Sequence, residues 1–170
     1  MSALLTIRNL NESKSETKPH DSRRGNDYQS SRDIRESLFK EIRRLKKRAL
    51  RETNKPRSYE HTPVYHSVLQ LIREGSILKG DDLLWGEVAT TIREDTPDFE
   101  DTLKRLSLNQ LNERESKVLL LIRLGFTSSQ ISKLEGRVKS TLTYRRRKMA
   151  DKLFHGEVSI EEFDRIIRII

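Results

Sequence analysis

The stretch LNERESKVLLLIRLGFTSSQISKLEGRVKSTLTYRRRKMADKLF, residues 111–154, decides how this chain folds. Asn112 followed three residues later by Glu115 is a capping-box start, in which each side chain satisfies the other's orphan backbone N–H. Val118, Leu119, Leu121 and Ile122 supply the buried stripe of the helix that follows, and Gly125 suits the left-handed residue that ends it. Thr127 or Ser128 then caps a short helix that carries Ile131 and Leu134 inward, and Gly136 supplies a tight turn. Lys139-Ser140-Thr141 opens a third helix with Leu142, Met149 and Leu153 on its inner side. A short helix, a glycine-containing turn and a basic helix in that order make a helix-turn-helix pattern.

Working outward, the tail from Ser159 to Ile170 reads as one more capped amphipathic helix. Ile160, Phe163, Ile166, Ile167 and Ile170 form its apolar face, which either packs back on the domain or pairs with a second copy. Upstream, Val64, Val68, Leu69, Leu71 and Ile72 make a short helix closed by Gly75. Leu83, Leu84, Trp85, Val88, Ala89 and Ile92 make another, opened by Asp81 or Asp82, with Trp85 as a core anchor rather than a ligand platform. Thr96-Pro97 sets a boundary before Phe99, Leu103 and Leu106.

Further upstream, Ile34, Leu38, Ile42, Leu45 and Ala49 recur at helical spacing from a cap at Ser30 or Ser31, in a helix expected to end near Asn54 before Pro56. Its other faces carry Arg43, Arg44, Lys46, Lys47, Arg48 and Arg51. Two heptads of stripe fit a marginal dimerisation helix and a solvated basic helix equally well. Binding to a membrane surface is the weaker option, because Phe39 is the lone aromatic on the stripe. Residues 1–30 are polar and without apolar periodicity after Ile7, and are expected to be disordered.

The plan is therefore all-α: a small helical bundle with a C-terminal helix-turn-helix, preceded by a disordered N-terminus and a basic helix. Its parts are a tail (1–30), a basic amphipathic helix (31–56), a helical module (57–106), the helix-turn-helix domain (107–156) and a C-terminal helix (157–170).

Composition narrows the chemistry. Of 170 residues, 34% are hydrophobic and 35% charged, too polar for the whole length to be buried. The absence of cysteine excludes disulfides, thiolate metal sites and cysteine nucleophiles. His20, His61, His66 and His155 are scattered, and Gly75 and Gly80 lack the spacing of a phosphate loop, so neither an enzyme nor a cofactor or metal site is expected. No apolar run reaches the length of a membrane span and the first residues do not form a signal peptide, which reads as cytoplasmic.

The net charge of +8 is concentrated. Residues 137–152 hold seven basic residues against Asp151, and residues 30–57 hold eleven against four acidic ones. The rest of the chain sums to −5. Localised positive charge is the footprint of phosphate neutralisation.

Leu111–Phe154 resembles the C-terminal domain of LuxR-type (GerE-like) regulators, through Leu111, Arg114-Glu115, Gly125, Ile131-Ser132, Gly136 and Thr141-Leu142. The run from Lys139 to Met149, followed by Lys152-Leu153-Phe154, is similar to the variant typical of Bacteroidetes regulators. Thr62-Pro63-Val64-Tyr65, Trp85 and Pro97-Asp98-Phe99 follow that variant's order upstream. The chain departs from the pattern at Glu135, where the family has Leu, and at Asn112, where it has Thr.

The resemblance implies a bacterial transcriptional regulator that binds double-stranded DNA, with the third helix in the major groove. Thr143, Tyr144 and Arg147 would face base edges, Arg147 reading a guanine and Tyr144 a thymine methyl. Lys139, Ser140, Arg145, Arg146 and Lys148 would hold phosphates. The residues also suit a sigma-factor region-4-like module that recruits RNA polymerase, or a module whose basic helices bind an acidic protein; a homodimer is compatible with each.

Overall fold

In the computed structural model, residues 22–52, 58–80 and 82–170 are described, with side chains from Ser30 onward. They are helical throughout, with no strand among them. Eight helices follow one another: α1 (Ser22–Arg51), α2 (Pro63–Glu74), α3 (Leu84–Asp95), α4 (Phe99–Leu106), α5 (Glu113–Leu124), α6 (Ser128–Leu134), α7 (Lys139–Phe154) and α8 (Ile160–Ile167). None is long and apolar enough to cross a membrane.

The chain divides into two compact units, one up to Arg35 and one from Glu36 to Ile170. In the first, residues 22–35 are helical and Ser30–Arg35 are exposed. The helix thus begins ahead of the expected caps at Ser30 and Ser31. No proline lies between 22 and 51 to stop it, and extending a formed helix costs little once it is nucleated. The rest of the expected disordered tail, 1–21, lies outside the described residues, as do Asn54 and Pro56.

In the second unit, α5 is the central element. Every residue from Val118 to Leu124 is buried, Arg123 included, so α5 is apolar nearly all round rather than on one stripe. It packs against α3, α6 and α8, while α7 packs against α4, α6 and α8, and α2 lies on α3 and α6. The helices of 57–106 and those of 107–156 therefore contribute to a single apolar core. Leu38, Ile42, Leu45 and Ala49 of α1 belong to it too.

Local signals account for several of the helix ends. Asn112 with Glu115, Thr127 with Gln130 and Ser159 with Glu162 all form reciprocal capping boxes. Gly75 and Gly125 close α2 and α5 in left-handed geometry. Asp82 opens α3 by accepting from Leu84 N at 2.9 Å. Leu83, expected on the buried stripe of that helix, is instead 89% exposed, because it precedes the first turn and points away from the face that carries Val88 and Ile92. Trp85 sits at the margin of the core, half-buried, with its indole N–H donating to Lys79 O at 2.7 Å.

α8 folds back onto the domain: Phe163, Ile166 and Ile167 are buried where it packs on α5 and α7, and Ile169 and Ile170 beyond it are buried too. Burying each large apolar side chain contributes about 1.5–3 kcal/mol, which fixes the chain end in place.

Candidate nucleic-acid interface

α7 has two faces of different chemistry. Leu142, Met149, Ala150, Leu153 and Phe154 are in the core, and the register they impose turns Lys139, Ser140, Thr141, Tyr144, Arg147 and Lys148 to solvent. Ser140, Thr143, Tyr144 and Arg147 fall three and four residues apart, so they line one strip along the helix. Tyr144 is 63% exposed, and Lys148 Nζ lies 5.4 Å from the centre of its ring. A cation over an aromatic face is attracted by the ring quadrupole, which holds both groups outward together. Arg147 is exposed and has no ion-pair or hydrogen-bond partner among the described residues. Thr143 is half-buried, and its hydroxyl donates to Lys139 O at 3.0 Å, leaving the oxygen free to accept.

The turn that leads into α7 is held tightly. Gly136 is in the left-handed region at φ +60, and Ile77 packs against it so closely that a Cβ there would meet the Ile77 side chain at 2.6 Å. Beside it, Leu78 N donates to Leu134 O at 2.9 Å, so the segment before α3 runs along the end of α6 as a strap.

Two of the expected phosphate ligands are committed elsewhere. Arg146 is only 8% exposed, which corrects its assignment to the DNA face. Its guanidinium donates to Ser128 Oγ at 2.5 Å, pairs with Asp164 and lies 5.9 Å from the Phe163 ring. It therefore ties α6, α7 and α8 together from within. The periodicity held the signal, because Arg146 lies on the same stripe as Leu142, Met149 and Leu153. Arg145 is half-buried and donates to both oxygens of Glu135 at 2.6 Å. Arg114 reaches the same carboxylate at 3.4 Å. Glu135, at the position where the LuxR-type pattern has Leu, thus joins α5 and α7 by charge.

Other ion pairs and hydrogen bonds also shape the site. Lys152 Nζ lies 2.7 Å from both oxygens of Glu115, joining the start of α5 to the last turn of α7. The Arg123 side chain is fully enclosed, donating to Thr96 Oγ1 at 2.6 Å and to Arg168 O, and facing Asp95 at 3.6 Å. Tyr59 donates to Asp95 at 2.7 Å. Burial first, and then that bond to a carboxylate, push its phenol above the usual 10.0. Arg123 lies among leucines and isoleucines in the sequence, the one mark of its burial.

What the arrangement offers is a convex, cationic helix face with one aromatic group and several hydroxyls, carried on a rigid inner face. Comparison with protein-family models, with curated proteins and with solved structures gave no match.

Proposed function

We propose that the chain is a double-stranded DNA-binding transcriptional regulator, with α6, the Gly136 turn and α7 acting as a LuxR-type helix-turn-helix. The observation that carries the reading is the outer strip of α7, where Arg147, Lys148, Lys139 and Tyr144 project to solvent while the opposite face is locked in the core. A helix of about 10–12 Å diameter fits the major groove, and free cations on its exposed side neutralise phosphates as it enters. Thr143, Tyr144 and Arg147 are assigned to base edges. Lys139, Ser140 and Lys148 are assigned to phosphates.

The test is selection of duplexes from a random pool by the full chain, followed by titration of variants on the selected sequence. Arg147→Ala is expected to weaken binding by about 1–3 kcal/mol and to relax preference at one base position. Lys148→Ala is expected to weaken all sequences alike and to lower the salt slope by about 1. Parental binding by both variants, or no enrichment from the pool, would sink the reading.

A further inference from the structure

α1 carries a second cationic surface that the α7 reading does not use. Burial of Leu38, Ile42, Leu45 and Ala49 fixes the rotation of the helix, and the opposite side faces solvent. Every carboxylate among residues 36–52 already has a cation. Glu36 pairs with Lys40, Glu52 with Arg48, and Glu41 with Arg105 of α4. Lys46, the basic residue nearest the domain, donates to Glu157 O and faces Glu162.

Arg43, Arg44, Lys47 and Arg51 remain, all exposed and without an ion-pair partner among the described residues. Arg43, Lys47 and Arg51 are four residues apart, a row of about 12 Å in which like charges repel. Beside that row, a groove of about 310 Å³ is lined by Arg44, Lys47, Arg48, Arg51 and Glu52. Glu52, the carboxylate that lines this groove, is already paired with Arg48.

The surface also belongs to a helix that meets α7 at the end away from Lys139 and Ser140. At the C-terminal end of α7, Phe39 lies 6.4 Å from the His155 ring, while Lys139 and Ser140 lie at the other end. α7 is sixteen residues long, so those ends are roughly 22 Å apart.

We infer that the outer face of α1 is a second phosphate-binding surface, which grips the backbone of duplex DNA without reading its sequence. The row presents cations and no exposed amide or aromatic group, which suits phosphates rather than base edges. A bilayer is the poorer fit, because Leu38, Ile42, Leu45 and Ala49 are enclosed in the domain core, which leaves Leu50 as the exposed large apolar side chain beside the cationic row. The choice of DNA among polyanions rests on the α7 reading; the surface itself does not.

The experiment measures full-chain binding to an unselected duplex of about 30 base pairs between roughly 50 and 200 mM salt. Changing Arg43, Arg44, Lys47 and Arg51 together to Gln is expected to lower the slope of log affinity against log salt by about 3.6, at 0.9 per lost phosphate contact. Arg43→Lys with Arg44→Lys and Arg51→Lys keeps the charge and is expected to keep the parental slope. A parental slope in the Gln variant overturns the inference. So does a parental DNA slope combined with lost binding to phosphatidylserine vesicles, which would reassign the surface to membranes. If the Gln variant is misfolded by circular dichroism, the same reading is taken from Arg43→Gln with Lys47→Gln, where a drop of about 2 is expected and no drop overturns the inference. Should Arg147→Ala and Lys148→Ala leave selected-site binding intact while the α1 variants flatten the slope, the α7 reading fails and this one stands.

Discussion

Two basic runs, one on α1 and one on α7, look alike in the sequence and differ in what the fold does with them. On α7, three consecutive arginines point three ways: Arg145 to Glu135, Arg146 into the interior and Arg147 to solvent. On α1, the cations turned inward are few, and Arg43, Arg44, Lys47 and Arg51 stay at the surface. The lesson is that a run of positive charge becomes a binding surface only where the apolar stripe leaves it outside. α7 crosses a crowded centre, with neighbours on α4, α6 and α8, and so needs internal cations to join them. α1 lies on the outside of the domain core and offers its outer side intact.

The sharpest way to break the comparison is at Arg146. Arg146→Ala leaves Asp164 without its cation and removes the tie to Ser128 and Phe163. A loss of about 2–4 kcal/mol is expected, below the full value for a buried pair because Asp164 is partly exposed. A urea denaturation curve measures it, and Asp164→Ala added to Arg146→Ala should restore part of the loss. If Arg146→Ala instead unfolds like the parent while losing DNA, the residue belongs to the outer face after all. By contrast, Arg147→Ala should change stability by no more than about 0.5 kcal/mol.

A smaller effect is expected at Tyr59. Tyr59→Phe removes the bond to Asp95 at a cost of about 1 kcal/mol. The phenol's raised pKa gives the effect a pH signature. The folded chain holds this proton more tightly than the unfolded one, so its contribution is complete below the usual 10.0 and is lost as pH rises through the folded value. The parent should therefore lose more stability than Tyr59→Phe between neutral pH and the alkaline limb. Parallel curves for the two proteins would contradict this.

The smallest change in stability should come from replacing both Glu135 and Arg145, as Glu135→Leu with Arg145→Met. Exchanging both partners of a half-buried ion pair for apolar side chains is close to neutral, within about 1 kcal/mol; Glu135→Leu alone leaves Arg145 without its carboxylate and costs more. That single change also frees Arg145, so duplex affinity should rise by a few-fold at low salt; unchanged affinity would place Arg145 outside the interface.

How much of this was legible depends on the range of the interaction. The capping boxes at Asn112, Thr127 and Ser159 are contacts between residues three apart, and the glycine caps are single-residue requirements, so both ends of α5 and the starts of α6 and α8 could be read directly. The apolar faces of α4 and α8 followed from periodicity for the same reason. The partners of charged residues did not. Asp164 lies eighteen positions from Arg146, and Arg168 lies 45 from Arg123, so no local pattern links them. Leu83 shows the converse limit, since an apolar residue next to a stripe is not on it until the first turn is fixed. The composition of α1 showed its charge, whereas the occupation of its apolar stripe by the domain core depended on tertiary packing.

The strap at Ile77 and Leu78 bears on where this chain can be cut. A fragment starting near residue 107 would retain α5 to α8 but lose the backbone bond from Leu78 to Leu134 and the side chain that covers Gly136. It would also expose the faces of α5, α6 and α7 that α2, α3 and α4 now cover. The smallest piece that folds on its own should therefore begin ahead of Thr62. Proteolytic trimming is expected to stop before α2 rather than between α4 and α5.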